Sequence, residues 1–527
     1  MKKFLFFFSV TALNFLTINT SEAQDGVWKT YSRANSGLIG DSVSSIGFDG
    51  NDSLWVAVRQ GVAKQTSSGW KAYNTQVEIP SNEIWDIDYT NGSMWFAHHN
   101  GVTGFDGSTW KTYTTTNSGL INSPVLHLAH DGQSNLWIGT ARGLCRLSPD
   151  NSWTSYKHEN TPAIPYDGIE SITTGQSNTL WMSFIGTAGL VVFPAGSSAN
   201  AKYIKQDSIP NFPKGPVYIK CLATDWNGNL WAGTNKYGVI RINATGATVF
   251  SQQNISAIKN DTIHTVAVDH CGNVWVGSEK GVSMFDGSAW TSISTSTGQL
   301  PNDYVYTIEV DASGHVWFGT KGGVTEFKPL PKAVTLLSPG NSAIIENDSV
   351  ISNWEWDCPN ILKYWHEIAD NAEFANSKID TTSASLTESA HKLNINLANS
   401  TTYYWRVKAK TDAGWGPFSS TWTFSVNIPS SVEMGNMMSS QCSMMQNYPN
   451  PCSDRTTIEF SVPKHQHVTL SIFDMLGRSC KTVMDDVVGP GKCTMSIDLN
   501  MIQQNGLYIY RLKVGETVLQ RMMHVVR

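Results

Sequence analysis

The stretch HVWFGTKGGVTEFKPLP, His315 to Pro331, decides the fold. Its centre, Gly319-Thr320-Lys321-Gly322-Gly323, reads either as a loop that cradles phosphate or as a tight turn between strands. The phosphate reading needs the spacing of a nucleotide-binding loop and a helix behind it, and the stretch offers neither. The turn reading needs company, because one glycine turn by itself specifies little.

Six relatives supply it: Leu54-Trp55-Val56-Ala57, Met94-Trp95-Phe96-Ala97, Leu136-Trp137-Ile138-Gly139, Leu180-Trp181-Met182-Ser183, Leu230-Trp231-Ala232-Gly233 and Val274-Trp275-Val276-Gly277. With Val316-Trp317-Phe318-Gly319, the tryptophans recur every 40 to 50 residues, the length of a four-stranded propeller blade. An apolar-x-x-apolar strand precedes each one: Val43 to Ile46, Ile84 to Ile87, Val125 to Leu128, Ile169 to Ile172, a longer Val217 to Leu222, Ile263 to Val266 and Val305 to Ile308. In five copies an Asp stands six positions before the Trp, at 49, 131, 225, 269 and 311, in Asn- and Gly-rich segments that read as hairpin turns. These loops hold too few carboxylates for calcium.

A third strand follows each glycine turn. A fourth is clearest in Trp70-Lys71-Ala72-Tyr73, Trp110-Lys111-Thr112-Tyr113 and Trp153-Thr154-Ser155-Tyr156. The repeated Trp55, Trp95, Trp137, Trp181, Trp231, Trp275 and Trp317 are expected in the core between blades, where Trp→Ala costs roughly 3 to 5 kcal/mol. The opening stretch reaches Pro329-Leu330-Pro331 without a fourth strand, while Trp28-Lys29-Thr30-Tyr31 stands spare before the first blade. The expected fold is therefore all-β: a seven-bladed propeller over 24–331, closed through Trp28 and Tyr31, with no unpaired edge at the seam.

Composition agrees with several β domains. The chain has 527 residues, 15% charged, with 20 Trp and 43 Gly, too long for one ordinary core. A net charge of −6 argues against a nucleic-acid partner. Lys2 and Lys3, the apolar run from Phe4, and Ser21-Glu22-Ala23 read as a signal peptide over 1–23; no later run is long enough to span a membrane in the mature chain. The eight cysteines are too scattered for a disulfide scaffold, although Cys480 and Cys493 flank a Gly-Pro-Gly turn and could meet across two strands.

Behind the propeller, residues 332–427 change pattern: Trp354-Glu355-Trp356, Tyr403-Tyr404-Trp405-Arg406-Val407 and Ala413-Gly414-Trp415-Gly416-Pro417 alternate as in a sandwich of about seven strands. A Ser/Met-rich linker over 428–446 leads to a small β-sandwich over 447–527.

These patterns carry three resemblances. Asn35-Ser36-Gly37-Leu38 and Asn117-Ser118-Gly119-Leu120, with the strand and Trp spacing above, resemble the two-component-regulator propeller repeat, which implies an extracellular sensing or binding propeller, oligosaccharide sensors among them. Residues 332–427 look like a fibronectin type III domain, usually a spacer or a binding surface. Asn447-Tyr448-Pro449-Asn450-Pro451, the strand Val468 to Asp474 running into Leu476-Gly477-Arg478, and Gly506-Leu507-Tyr508-Ile509-Tyr510-Arg511-Leu512 resemble the type A sorting domain of the type IX secretion system, with Cys452 where that family often has Phe. That resemblance implies the type IX machinery as partner, and release from or attachment to the outer surface of a Bacteroidota-type bacterium.

For chemistry the sequence offers little. His366-Glu367-Ile368-Ala369-Asp370 lacks the second His of a zinc-protease helix, no nucleophile elbow occurs, and His98-His99 lacks a third metal ligand. Phe105-Asp106-Gly107 and Phe285-Asp286-Gly287 are Asp-Gly hairpins rather than sialidase-type boxes. No cofactor, metal or catalytic residue is expected. The leading expectation is a secreted or surface non-catalytic binding protein for a glycan or peptide; the alternatives are a propeller glycoside hydrolase or polysaccharide lyase, and a surface adhesin or structural protein. The ligand candidates are Trp85, Asp86, His127, Glu170, Tyr218, His264 and Tyr306 on first strands, with Arg59, Arg142, Lys236, Lys280 and Lys321 in the turns after the tryptophans as a possible basic ring.

Overall fold

The computed structural model describes residues 25–526 apart from 76–78, 167, 188, 195–196, 347–349, 357, 359, 376–378, 387–388, 393–396, 428–441, 475–477, 500–501, 503–504 and 516, with backbone alone at 379–386 and 392. The expected leader lies outside these residues. The chain divides into two compact units, Met1–Pro329 and Leu330–Arg527.

The first unit is seven four-stranded antiparallel sheets, one per repeat. Their inner strands are Val43–Phe48, Ile84–Thr90, Val125–His130, Ile169–Gly175, Ile219–Thr224, Ile263–Val268 and Val305–Val310. Each inner strand packs beside the next, and the seventh packs beside the first, so the ring is closed. The second strands, such as Leu54–Val58 and Val316–Thr320, are buried on both faces between neighbouring blades, which is why they read as unbroken apolar runs. Fourth strands also complete blades four to six, as Lys202–Ile204, Gly246–Phe250 and Trp290–Ile293.

The tryptophans wedge between blades as expected. Trp55, for example, shares a cluster with Tyr73 of its own blade and with Ile84, Ile87 and Phe96 of the next. Six of the seven are buried, but Trp181 is only half-buried. Of the buried six, Trp95 donates its indole N–H to the Thr90 carbonyl at 3.4 Å, and each of the other five is held by the Asp six positions upstream. It accepts the indole N–H at 3.1 Å in Asp49–Trp55, 2.9 Å in Asp131–Trp137 and Asp225–Trp231, and 2.8 Å in Asp269–Trp275 and Asp311–Trp317. The same carboxylates accept backbone N–H groups of their own turns, so both oxygens already serve the hairpin. In the fourth blade Gly175 stands at that position and no carboxylate is offered to Trp181.

The seam is where the sequence placed it. Gly26–Tyr31 pairs antiparallel with Gly323–Pro329, from Gly26 opposite Pro329 to Tyr31 opposite Val324. Trp28 stacks on Phe327, Tyr31 stacks on Trp317 and donates its hydroxyl to Glu326 Oε2 at 3.2 Å. The glycines of the opening stretch belong to this closure. Gly323 sits at φ +134°, and a Cβ there would lie 2.5 Å from the Tyr31 carbonyl; a Cβ on Gly319 would press on Val43 of the first blade at 3.0 Å.

In the second unit, a three-stranded sheet (Thr335–Ser338, Ile351–Glu355, Ala390–Lys392) and a larger sheet built on Lys363–Ala369, Thr401–Thr411 and Trp422–Val426 enclose Trp354, Tyr403, Trp405 and Phe424 as a β-sandwich. The C-terminal residues form a second sandwich around Ile458, Phe460, Leu470, Tyr510 and Leu512. Ser443–Met444 already pairs with Phe460 and Ser461, and Met444 lies in this core, so the expected linker ends several residues early. Cys480 and Cys493 are free: their strands, Ser479–Val488 and Gly491–Asp498, belong to different sheets, because the Gly-Pro-Gly turn carries the chain across the sandwich. No helix among the described residues is long and apolar enough to cross a membrane.

Candidate functional site

The inner strands surround a cavity of ≈ 730 Å³. Every inner strand carries a β-bulge at the same place: the pairing skips one residue between Val43/Ser45, Ile84/Asp86, Val125/His127, Ile169/Ser171, Ile219/Cys221, Ile263/Thr265 and Val305/Thr307. The skipped residue has no ladder partner, and a bulge re-aims its side chain. Around the ring these residues are Ser44, Trp85, Leu126, Glu170, Lys220, His264 and Tyr306. Five of them, Ser44, Trp85, Lys220, His264 and Tyr306, line the cavity.

The sequence candidates sort accordingly. Trp85, Glu170, His264 and Tyr306 are bulge residues, and Asp86 and His127 follow bulges and line the channel. Tyr218 is displaced. The fifth inner strand begins at Ile219, so the extra apolar residue Val217 misled the register, and Lys220 takes the equivalent place. Arg59, Arg142, Lys236, Lys280 and Lys321 sit exposed in turns at the bulge end but are not among the cavity-lining residues. His98 turns away from any ligand role: it is buried, its Nε2 meets Thr103 Oγ1 at 2.8 Å, and burial lowers its pKa to about 4. No cluster that could hold a metal occurs among the described residues.

The mouth has two chemically different halves. Blades six, seven and two contribute rings, with Ser44 of blade one between them: His264 stacks on Tyr304 at 5.0 Å, Tyr304 meets Tyr306 at 4.6 Å, and Trp85 meets His99 edge-on at 6.1 Å. Blades three to five contribute His127, Glu170 and Lys220. Burial raises the pKa of Glu170, against the lowering pull of Lys220 and His127.

Deeper in the channel the wall is acidic. Asp86 accepts the Leu128 amide at 2.8 Å and lies 3.3 Å from His127 Nδ1; burial raises its pKa against these contacts. Asp88 holds His130 Nδ1 at 2.8 Å. Glu309, missed by the sequence reading, opens onto the channel but is walled in by protein. Lost hydration, with Asp86 and Asp88 facing it, pushes its pKa up to about 8. Its own strand gave no distinguishing signal, since Asp88 stands at the same position of the second blade, opposite the repeated Trp.

Two family models match the chain. Residues 446–525 match the secretion system C-terminal sorting domain, and 299–322 match the two component regulator propeller. The sorting domain makes this a secreted or cell-surface protein. No curated protein matches it. Similar solved structures include the extracellular domain of the hybrid two component system BT3049 of B. thetaiotaomicron (12% identity, TM-score 0.49, 95% of this chain and 100% of that one). Streptogramin B lyase (14%, 0.44, 57% and 97%) and PorZ of the type-IX secretion system of Porphyromonas gingivalis (16%, 0.37, 93% and 66%) are also similar.

Proposed function

We propose that this is an extracellular, non-catalytic binding protein whose propeller recognises a glycan or peptide at the bulge mouth. The observation that carries the proposal is the bulge itself. Seven blades repeat one core almost unchanged, yet at the one position freed from ladder pairing in every blade they present seven different residues. Rings on one half and the Glu170/Lys220 pair on the other suit a ligand with an apolar face and hydrogen-bonding ends. In this reading the middle sandwich is a fibronectin type III-like spacer, and the terminal domain engages the type IX machinery.

Binding of the full chain to glycan and peptide arrays tests the proposal, with Trp85→Ala and Lys220→Ala as variants. Each is expected to weaken the selected ligand at least tenfold; unchanged binding in both overturns the assignment.

One observation favours a second reading, a polysaccharide hydrolase or lyase. Glu309, protonated near neutral pH beside Asp86, is what a proton donor to a leaving oxygen requires. Release of reducing or unsaturated ends from a polysaccharide by the wild-type chain and not by Glu309→Gln would replace the binding proposal.

A further inference from the structure

The other end of the channel differs from the bulge mouth, and one residue there stands apart. The turn position that follows the blade Asp holds Gly50, Gly132 and Ala312 in blades one, three and seven, but Trp226 and His270 in blades five and six; Gln176 occupies the equivalent place in blade four. The three large residues lie on consecutive blades and all line the cavity. Trp226 is 61% exposed, whereas six of the seven blade tryptophans are buried.

Exposure does not leave Trp226 loose. Its indole N–H donates to the Asp269 carbonyl of blade six at 3.0 Å, and its own carbonyl accepts from the Gln176 side chain of blade four. Its ring edge runs beside Gly272, where an added Cβ would stand 3.8 Å from Cδ1. The bond to blade six therefore holds the ring and the one from blade four holds its backbone, and the ring's only polar atom is already used. What it has left to offer is a flat apolar face at a channel mouth.

We propose that this mouth is a second binding site, separate from the bulge mouth, in which Trp226 stacks against a neutral pyranose ring. The surroundings select that chemistry. Thr173, Thr174, Gln176 and Thr224 line the same end of the cavity, so one aromatic plate is set among hydrogen-bonding groups. A pyranose matches this: its C–H face is apolar and its rim is hydroxyl. A lipid or an apolar peptide needs a wider greasy surface, and an anionic sugar needs cations, whereas no Lys or Arg of this end lines the cavity. A plate already held in place loses little freedom on binding. From Lys220 to the end of the strand at Thr224 the chain advances four residues, about 13 Å, so the two mouths take separate parts of a ligand or separate ligands.

The test is affinity electrophoresis of the full chain through gels containing laminarin, xyloglucan or galactomannan. At least one of these neutral glycans is expected to retard the wild-type protein. Trp226→Ala should weaken that binding at least tenfold in dissociation constant with an unchanged thermal melt, and Trp226→Phe should retain most of it. Retardation that survives Trp226→Ala, or a wild-type chain retarded by none of the three, overturns the site. Loss on Lys220→Ala alone would instead assign the glycan to the bulge mouth.

Discussion

Trp28 and Phe327 stack with ring centroids 4.2 Å apart, joining the first strand of the propeller to the last. Trp28 also stacks on Phe318, and with them it forms one cluster around Trp275. Removing residues 24–33 is expected to lower the melting temperature of the full chain's first transition sharply. Trp28→Ala should cost about 3 kcal/mol, read from chemical denaturation. An unchanged melt for the deletion would mean that the ring holds without its seam.

The Asp–Trp hydrogen bond predicts unequal blades. Trp275→Phe keeps most of the ring but strips the N–H from Asp269, and should destabilise by about 1 to 3 kcal/mol, since the acceptor is a buried carboxylate. Trp181→Phe has no such bond to lose and should cost less. Equal losses in paired denaturation curves would assign the effect to ring size alone.

Asp49 gives an acid limb. Burial opposes its ionisation, but Lys64 at 2.7 Å and the Trp55 N–H win and hold its pKa at about 2. A carboxylate whose folded pKa lies below its unfolded value stabilises above about pH 4, and the contribution disappears as pH falls toward 2. Lys64→Met should therefore destabilise the protein at pH 6 by about 1 to 2 kcal/mol and by much less at pH 2, measured by denaturant titration at the two pH values.

Glu309 works in the opposite direction. Its folded pKa of about 8 exceeds the unfolded value, so its contribution is fully present below about pH 4, falls as pH rises, and is lost once pH passes through 8. Glu309→Gln should raise the melting temperature at pH 9 more than at pH 5. A variant whose gain is the same at both pH values would show that the group is fully hydrated.

At the C-terminal domain, the Tyr510 hydroxyl accepts the Asn447 amide at 2.7 Å and donates to the Met445 carbonyl at 2.9 Å. Tyr510→Phe leaves the buried Asn447 N–H without this partner and takes a donor from the Met445 carbonyl, and should cost about 1 to 3 kcal/mol. Limited proteolysis should then release the segment before Tyr448 faster than in wild type.

The repeat made the ring legible, because a two-sided burial requirement writes itself as the same apolar-Trp-apolar-small run seven times, and the missing fourth strand showed where the ring closes. The site was less legible for the same reason. A β-bulge changes no residue type, so the run from Val217 to Leu222 could not say whether Tyr218 or Lys220 faces the channel; only the pairing with Leu230–Thr234 does. Glu309 and Trp226 acquire their roles from neighbours on other blades, which no local pattern encodes. The middle sandwich followed from alternation, whereas the crossing at Gly489-Pro490-Gly491 did not, since a turn's sequence does not name the sheet that receives the next strand.

The seam also sets an order of events. In a chain that emerges N-terminus first, Gly26–Tyr31 is the earliest strand available and one of the last to be satisfied, since its partner, Gly323–Pro329, lies almost three hundred residues on. Six blades can assemble from local hairpins, but the cooperative ring waits for the longest loop closure in the domain, which makes this pairing the slow, high-contact-order step of folding. Until then the propeller is an open arc with two adhesive ends.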